Sequence, residues 1–158
     1  MTVSRSRIIV NSIAAIFIFL FTYTAFNKLL RIDLFRHVIN QSFLHADWAG
    51  FIAWAVVLSE WLAVLLLIYP PARMAGLWLS AALMLTFTIY IGIMLATSSH
   101  LPCSCGGILK QLSWKNHFWL NIILTALAVT GIVLGRRDRK LAISNVVILI
   151  EAKEGNFQ

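Results

Sequence analysis

The sequence predicts an all-α integral membrane protein, a four-transmembrane-helix bundle with a short outward interfacial helix between spans one and two. Of its 158 residues, 60% are hydrophobic and only 12% are charged, whereas soluble domains carry about a quarter charged residues. Apolar runs of about 20 residues, the length that crosses a bilayer, recur along the chain. Because every segment between these runs is short, we expect one small domain.

Four apolar runs give the predicted spans, at about residues 8–30, 48–69, 74–97 and 114–134. Residues 1–140 would form the membrane domain and residues 141–158 a C-terminal cytoplasmic tail. Pro70 and Pro71 end the second span, since proline cannot continue a helix. The basic run that begins at Arg136 closes the fourth span. The tail contains an apolar run too short to span a membrane, which would pack on the bundle, pair with a partner as a strand, or fray.

The segment 31–47 predicts the interfacial helix. Its apolar side chains recur at spacings that place them on one face of a helix, as in helices that lie flat at a membrane surface. These side chains are Phe35, Val38, Ile39, Phe43 and Leu44.

Basic residues set the predicted orientation, because Lys and Arg concentrate on the cytoplasmic side of a membrane. Four spans place both termini on one side, and that side then carries most of the thirteen Lys and Arg residues. We therefore expect a multi-pass protein of the bacterial inner (cytoplasmic) membrane, with both termini cytoplasmic and the loop after span three in the periplasm. This orientation and contact with anionic lipid explain the formal charge of +7, so we expect no nucleic-acid partner.

Cys103 and Cys105 are the only cysteines of the chain, and they lie in that periplasmic loop. A disulfide across one intervening residue is strained, and strained exposed disulfides are easily reduced. Gly106 and Gly107 allow unusual backbone angles beside the pair, and Lys110 favours a thiolate. The pattern predicts that Cys103 and Cys105 are the catalytic residues of thiol–disulfide exchange. Two inert cysteines, or a static disulfide, are the structural alternative.

The same loop also offers metal ligands. A His2Cys2 set suits zinc or copper, although the spacing of this one differs from standard zinc motifs. Metal handling is therefore an alternative, with the ligands His100, Cys103, Cys105 and His117.

Glu60 lies near the middle of the second span, where a carboxylate should face the bundle interior and be paired or protonated. Lys28 is the obvious partner. However, it lies near the outer end of span one, more than about 10 Å from Glu60 in depth at about 1.5 Å per residue. A shifted register or a deep-set first loop would close this gap; otherwise we expect Lys28 to extend towards the lipid headgroups. Glu60 would then bond other polar groups, from among Tyr23, Thr86, Tyr90 and Asn121. Lys28, Glu60, Tyr90 and His117 are the predicted supporting polar residues.

Together these residues resemble the MauE/DoxX-like family of redox-associated membrane proteins, of the methylamine-utilisation MauE type. The resemblance covers about residues 10–135. Members of the family often have the sequence Cys-Gly-Cys-Phe-Gly at the cysteine motif. This chain keeps both cysteines, with Ser104 in place of Gly and Gly106 in place of Phe. The matching elements are Lys28-Leu29, Ser59-Glu60-Trp61-Leu62, Pro102-Cys103-Ser104-Cys105-Gly106 and Ser113-Trp114.

The resemblance implies a four-helix membrane protein that serves periplasmic thiol chemistry, with a thioredoxin-fold protein or a disulfide-containing client as partner. The architecture is also similar in outline to quinone-linked disulfide-forming membrane enzymes. Those enzymes need two cysteine pairs, and this chain has one. Whether the protein is itself a thiol–disulfide oxidoreductase, and whether a quinone is its cofactor, stays open. A non-enzymatic small subunit or assembly factor of a larger membrane complex is the alternative function, and metal handling the second alternative.

Overall fold

The computed structural model describes residues 3–40, 46–97 and 114–154. No strand occurs in this part of the chain, so the predicted all-helical class is confirmed. The helices are α1 (Val3–Leu30), α2 (Ile32–Asn40), α3 (Ala49–Ile68), α4 (Arg73–Thr97) and α5 (Trp114–Glu154), with 3₁₀ turns at Ala46–Trp48 and Pro70–Ala72.

In the described residues, four helices are long and apolar enough to cross a membrane, as predicted. Their large apolar side chains are often exposed; Phe19, for example, is 76% exposed. Lipid rather than water surrounds such surfaces, so the chain is a multi-pass membrane protein that sits in a lipid bilayer. The candidate spans are Arg5–Leu30, Ala49–Ile68, Pro70–Ala96 and Asn116–Leu141.

The bundle has the cyclic order α1, α3, α4, α5, in which each helix packs against the next and α5 returns to α1. Ser6 Oγ on α1 donates a hydrogen bond to Asp138 Oδ2 on α5, at 2.8 Å. The start of α1 and the later part of α5 therefore lie at the same end of the bundle, which we call the proximal end. At the opposite, distal end α1 meets α2, α3 begins, α4 ends and α5 begins.

An apolar core fills the proximal half of the bundle. A Cβ on Gly131 of α5 would lie only 3.3 Å from the Leu77 side chain of α4, so the glycine allows these helices to approach closely. Close van der Waals packing of this kind holds helices together in lipid, where the hydrophobic effect gives little help. The largest buried apolar side chains of this core are Phe17, Phe21, Leu67 and Leu77.

Pro70 and Pro71 end α3, as predicted, and Arg73 then secures the turn. The Arg73 Nε donates to the backbone oxygen of Leu67 at 3.2 Å, and Nη1 donates to Asn11 Oδ1 at 2.6 Å. Arg73 thereby satisfies a carbonyl at the end of α3, which has no partner within its own helix, and ties the turn to α1.

The predicted helix between the first two spans is present over Ile32–Asn40, while residues 41–45 lie outside the described part of the chain. It follows α1 after a single residue, Arg31. Ile39 of α2 packs against Ala49 and Ala53 in the first turns of α3. Its position at a membrane surface stays a prediction.

α5 is longer than predicted. The fourth span is predicted to end near residue 134, but the helix that contains it continues to Glu154. No glycine or proline interrupts the sequence 141–154, and a helix that leaves the membrane can continue in water. Arg136 also lies over the Trp78 ring of α4, 4.8 Å from its centroid, which anchors this turn. The predicted tail is therefore helical as far as Glu154, and its cytoplasmic location stays a prediction.

Candidate functional site

A cavity of about 240 Å³ lies in the distal half of the bundle, among α1, α2, α3, α4 and α5. Its wall is largely apolar. All four predicted supporting residues, Lys28, Glu60, Tyr90 and His117, lie on this wall although they come from four different helices. The other polar side chains on the wall are Thr24, Asn27, Arg31, Thr86 and Asn121.

Glu60 is completely buried and forms an ion pair with Lys28. The Lys28 Nζ donates to Glu60 Oε1, and Thr24 Oγ1 donates to the same oxygen at 3.2 Å. The expectation that Glu60 is paired inside the bundle is therefore confirmed. The expectation that depth separates Lys28 from Glu60 is wrong.

The relative positions of α1 and α3 explain why the expected depth is wrong. The expected depth was counted in residues from the ends of the spans. That count assumes that both helices reach the membrane surface at the same level. In the structure Lys28, near the end of α1, pairs with Glu60 in the middle of α3, so α3 begins beyond the end of α1. Thr24 and Lys28, one turn apart on the same face of α1, consequently both reach Glu60.

Two aromatic rings complete the surroundings of the Lys28 ammonium. Nζ lies 5.0 Å from the centroid of Phe87 and 5.6 Å from that of Phe35. A cation over the face of an aromatic ring is attracted by the ring quadrupole, more strongly where water is excluded. The Lys28 side chain is only 19% exposed, so these rings, with Glu60, replace much of its hydration.

Two buried atoms on the cavity wall have unused hydrogen-bonding capacity. Within the described residues, neither Glu60 Oε2 nor His117 Nδ1 makes a hydrogen bond. A buried polar atom left unsatisfied costs about 1–3 kcal/mol. The cavity therefore favours an occupant that offers hydrogen-bonding groups to these two atoms.

Sequence reasoning missed Thr24, Phe35 and Phe87 as neighbours of the ion pair. Thr24 could have been predicted as a neighbour, because it precedes Lys28 by four residues and residues four apart on a helix share a face. The two phenylalanines could not, since aromatic side chains are common throughout these apolar segments.

The two cysteines and His100 lie outside the described residues. The chain joins them to the distal end, because residues 98–113 connect α4, which ends at Thr97, to α5, which begins at Trp114. Of the four ligands in the metal alternative, His117 falls within the described part. No group of three or more potential metal-ligating side chains occurs there, and the metal alternative stays untested.

Comparison with known proteins identifies the family. The model of the family described as MauE, methylamine utilisation protein MauE, matches residues 6–134. No curated protein and no solved structure matches the chain. The matched range is most of the 158 residues and includes the ion pair, His117 and both cysteines. The chain therefore belongs to the MauE family of membrane proteins.

Proposed function

We propose that this protein is a membrane component of periplasmic thiol–disulfide exchange. Cys103 and Cys105 alternate between a dithiol and a disulfide, and they react with a thioredoxin-fold partner or a disulfide-containing client. The observation that supports this most is the cavity with the Lys28–Glu60 pair, which lies at the end of the bundle to which the cysteine segment is joined.

The cavity and the cysteine segment share two helices. Ile91, in the later part of α4, and His117, at the start of α5, line the cavity. The cysteine segment joins these same helices at their distal ends. Buried charged and polar groups inside a membrane are costly and usually functional, so their concentration at this end supports chemistry there.

Each exchange is balanced without a further oxidant. A thiolate of one molecule attacks the disulfide of the other, a mixed disulfide forms, and one thiolate leaves. The second cysteine of the attacking pair then attacks the mixed disulfide, and the other thiolate of the partner leaves. The partner's disulfide becomes a dithiol as Cys103 and Cys105 become a disulfide, or the reverse, according to their reduction potentials.

We further propose that the proximal end is cytoplasmic and the distal end periplasmic, in a bacterial inner membrane. The Ser6–Asp138 hydrogen bond brings the two termini-bearing helices together at the proximal end. Positive charge concentrated at that end supports a cytoplasmic location, and disulfides persist in the periplasm. The basic residues there are Arg5, Arg7, Arg73, Arg136, Arg137, Arg139 and Lys140.

The family description names methylamine utilisation. We propose that this chain shares a membrane role with that family, and we assign it no particular client.

A second candidate function is a non-enzymatic small subunit or assembly factor of a larger membrane complex. The extension of α5 supports it. The helix continues from Leu141 to Glu154, about 20 Å at about 1.5 Å per residue. Ile143, beyond the candidate span that ends at Leu141, is 58% exposed, and an exposed apolar side chain on a helix beyond the span suits packing on another protein.

Trapping of the mixed disulfide tests the exchange proposal. Cys103→Ser and Cys105→Ser are expressed singly in cells, and membranes are analysed by non-reducing electrophoresis. The variant that keeps the attacking cysteine should accumulate a covalent adduct that disappears on reduction, and mass spectrometry would identify the partner. The double variant is the control. If neither single variant forms an adduct and the double variant supports full function, the assembly role is favoured instead.

A further inference from the structure

The distal cavity has room for more than water. Its volume of about 240 Å³ exceeds the ~150 Å³ of an engineered apolar cavity that binds benzene. Phe35, Phe87 and Tyr90 line it, and aromatic side chains pack well against a planar ring. A substituted six-membered ring therefore fits its size and its mainly apolar wall.

The two atoms with unused hydrogen-bonding capacity define the polar part of such an occupant. Lys28 and Thr24 both donate to Glu60 Oε1, whereas Oε2 of this cavity-lining residue has no partner in the described residues. His117 Nδ1 is the second atom without a partner in the described residues. A ring hydroxyl can donate to Oε2, and a second ring oxygen can donate to or accept from Nδ1, according to the tautomer of the imidazole.

Two residues of the cavity wall also reach the surface of the protein. Leu34 of α2 and Thr86 of α4 line the cavity, and both are exposed. Thr86 lies near the middle of a candidate membrane span. An occupant that enters beside it would come from the lipid, so it should be lipid-soluble.

We propose that this cavity binds the ring of a lipid-soluble quinone and of the corresponding quinol, with Glu60 Oε2 and His117 Nδ1 as the contacts of two ring oxygens. In the quinol a ring hydroxyl donates to Oε2, and in the quinone a proton on Oε2 is donated to the ring carbonyl. The proposal rests on the proposed function for its chemistry. Oxidation of two thiols to a disulfide releases two electrons and two protons, and reduction of a quinone to a quinol takes up the same number of each. Glu60 and His117 are groups that can exchange protons, and both line the cavity.

Binding of decylubiquinone to the purified full-length protein in mild detergent tests this inference. The readout is quenching of the fluorescence of the six tryptophans. We expect saturable quenching by the wild type and roughly tenfold weaker binding by His117→Leu, as for the loss of one buried hydrogen bond. The control is Ile123→Ala on the same helix, whose side chain is 61% exposed; its affinity should match the wild type.

Thermal unfolding separates a binding defect from a folding defect. His117→Leu removes a buried atom that has no partner in the described residues, so it should unfold no earlier than the wild type. Glu60→Gln is the second variant, because it keeps the shape of the side chain and offers an amide donor beside the ring. It should keep the binding of decylubiquinone and weaken that of decylubiquinol, whose hydroxyl needs an acceptor. An absence of saturable quenching in the wild type, or equal affinity in the wild type and His117→Leu, would overturn the proposal and leave water as the occupant.

The Cys103→Ser/Cys105→Ser double variant distinguishes this inference from the proposed function. We expect it to bind decylubiquinone with wild-type affinity, because the contacts are on Glu60 and His117. If the single cysteine variants trap no partner while quinone binding persists, the exchange proposal fails and the quinone site stands. If a partner is trapped but no quinone binds, the reverse holds.

Discussion

Lys28 at the end of α1 and Glu60 near the middle of α3 form an ion pair inside the part of the bundle that lipid surrounds. The pair uses one carboxylate oxygen, Oε1, which also accepts a hydrogen bond from Thr24. Glu60 also lines the distal cavity, and its other oxygen has no partner in the described residues. The pair therefore ties α1 to α3 beside the cavity.

Removal of one partner of this pair should destabilise the protein strongly. Glu60→Leu leaves the Lys28 ammonium without its carboxylate in a place with little water, and loss of one member of a buried pair typically costs about 3–5 kcal/mol. We expect the double variant Lys28→Met/Glu60→Leu to recover much of this loss, since no unpaired charge remains. Thermal and denaturant unfolding in mild detergent measure both effects.

Ser59→Ala is the matched control for that experiment. Ser59 precedes Glu60, and its hydroxyl bonds within α3, to the Val56 oxygen at 2.8 Å, so its loss should change stability little. Equal losses in Glu60→Leu and in the double variant would show that Lys28 and Glu60 make no coupled contribution to stability, contrary to this prediction.

Gly76 should not tolerate a larger residue. A Cβ at this position would lie 2.9 Å from the backbone nitrogen of Leu67 and 3.0 Å from the backbone carbon of Leu66. Backbone atoms cannot yield without moving α3 away from α4, and overpacking of this kind costs about 1–3 kcal/mol. Gly76→Ala should therefore lower the unfolding temperature in detergent.

Gly50→Ala provides the comparison for Gly76. The added Cβ would meet the Arg36 guanidinium at 3.2 Å. The Arg36 side chain is 53% exposed and can move aside, so we expect little change in stability. Similar losses at both glycines would argue that α3 and α4 approach each other less closely than the Gly76 contacts indicate.

The hydrogen bond between Ser6 and Asp138 should contribute to holding α1 against α5. Ser6 is buried and donates to a carboxylate at 2.8 Å; bonds to charged groups contribute about 1.5–3 kcal/mol. Ser6→Ala should lower stability by about that amount or somewhat less. Thr130→Ala, at an exposed position of α5 where the hydroxyl bonds within the helix, should have almost no effect. Equal stability of the two variants would contradict this role.

Accessibility of residue 144 tests the orientation of the bundle. Ser144 is exposed on the part of α5 beyond the last span. In a Cys103→Ser/Cys105→Ser background, Ser144→Cys should react with a membrane-impermeant maleimide only after the cells are permeabilised. Labelling in intact cells would place the proximal end outside and reverse the proposed orientation.

The four spans could be predicted from the sequence because apolar runs of this length have few structural alternatives. Pro70 and Pro71 likewise predicted the end of α3, because a helix cannot continue through two prolines whatever packs against it. The end of α5 could not be predicted in the same way. The basic run beginning at Arg136 predicts the limit of the membrane-spanning part, but a charged run suits a helix in water as well as a loop.

The polar residues of the cavity were identifiable one by one, because Glu60, Lys28 and His117 are unusual within apolar segments. Their arrangement was not, since it depends on the depth at which α1 packs against α3. That depth brings Lys28 to Glu60, an outcome that counting residues from the ends of the spans does not reveal.

The central claim is that Cys103 and Cys105 form a reducible pair on the outer face of the membrane. The most direct test is labelling of intact cells with a membrane-impermeant maleimide, before and after mild reduction, with the double serine variant as blank. We predict little labelling before reduction and two labels per chain after it. Free thiols that label fully without reduction and never form an adduct, or cysteines that stay inaccessible until the cells are opened, would contradict this claim.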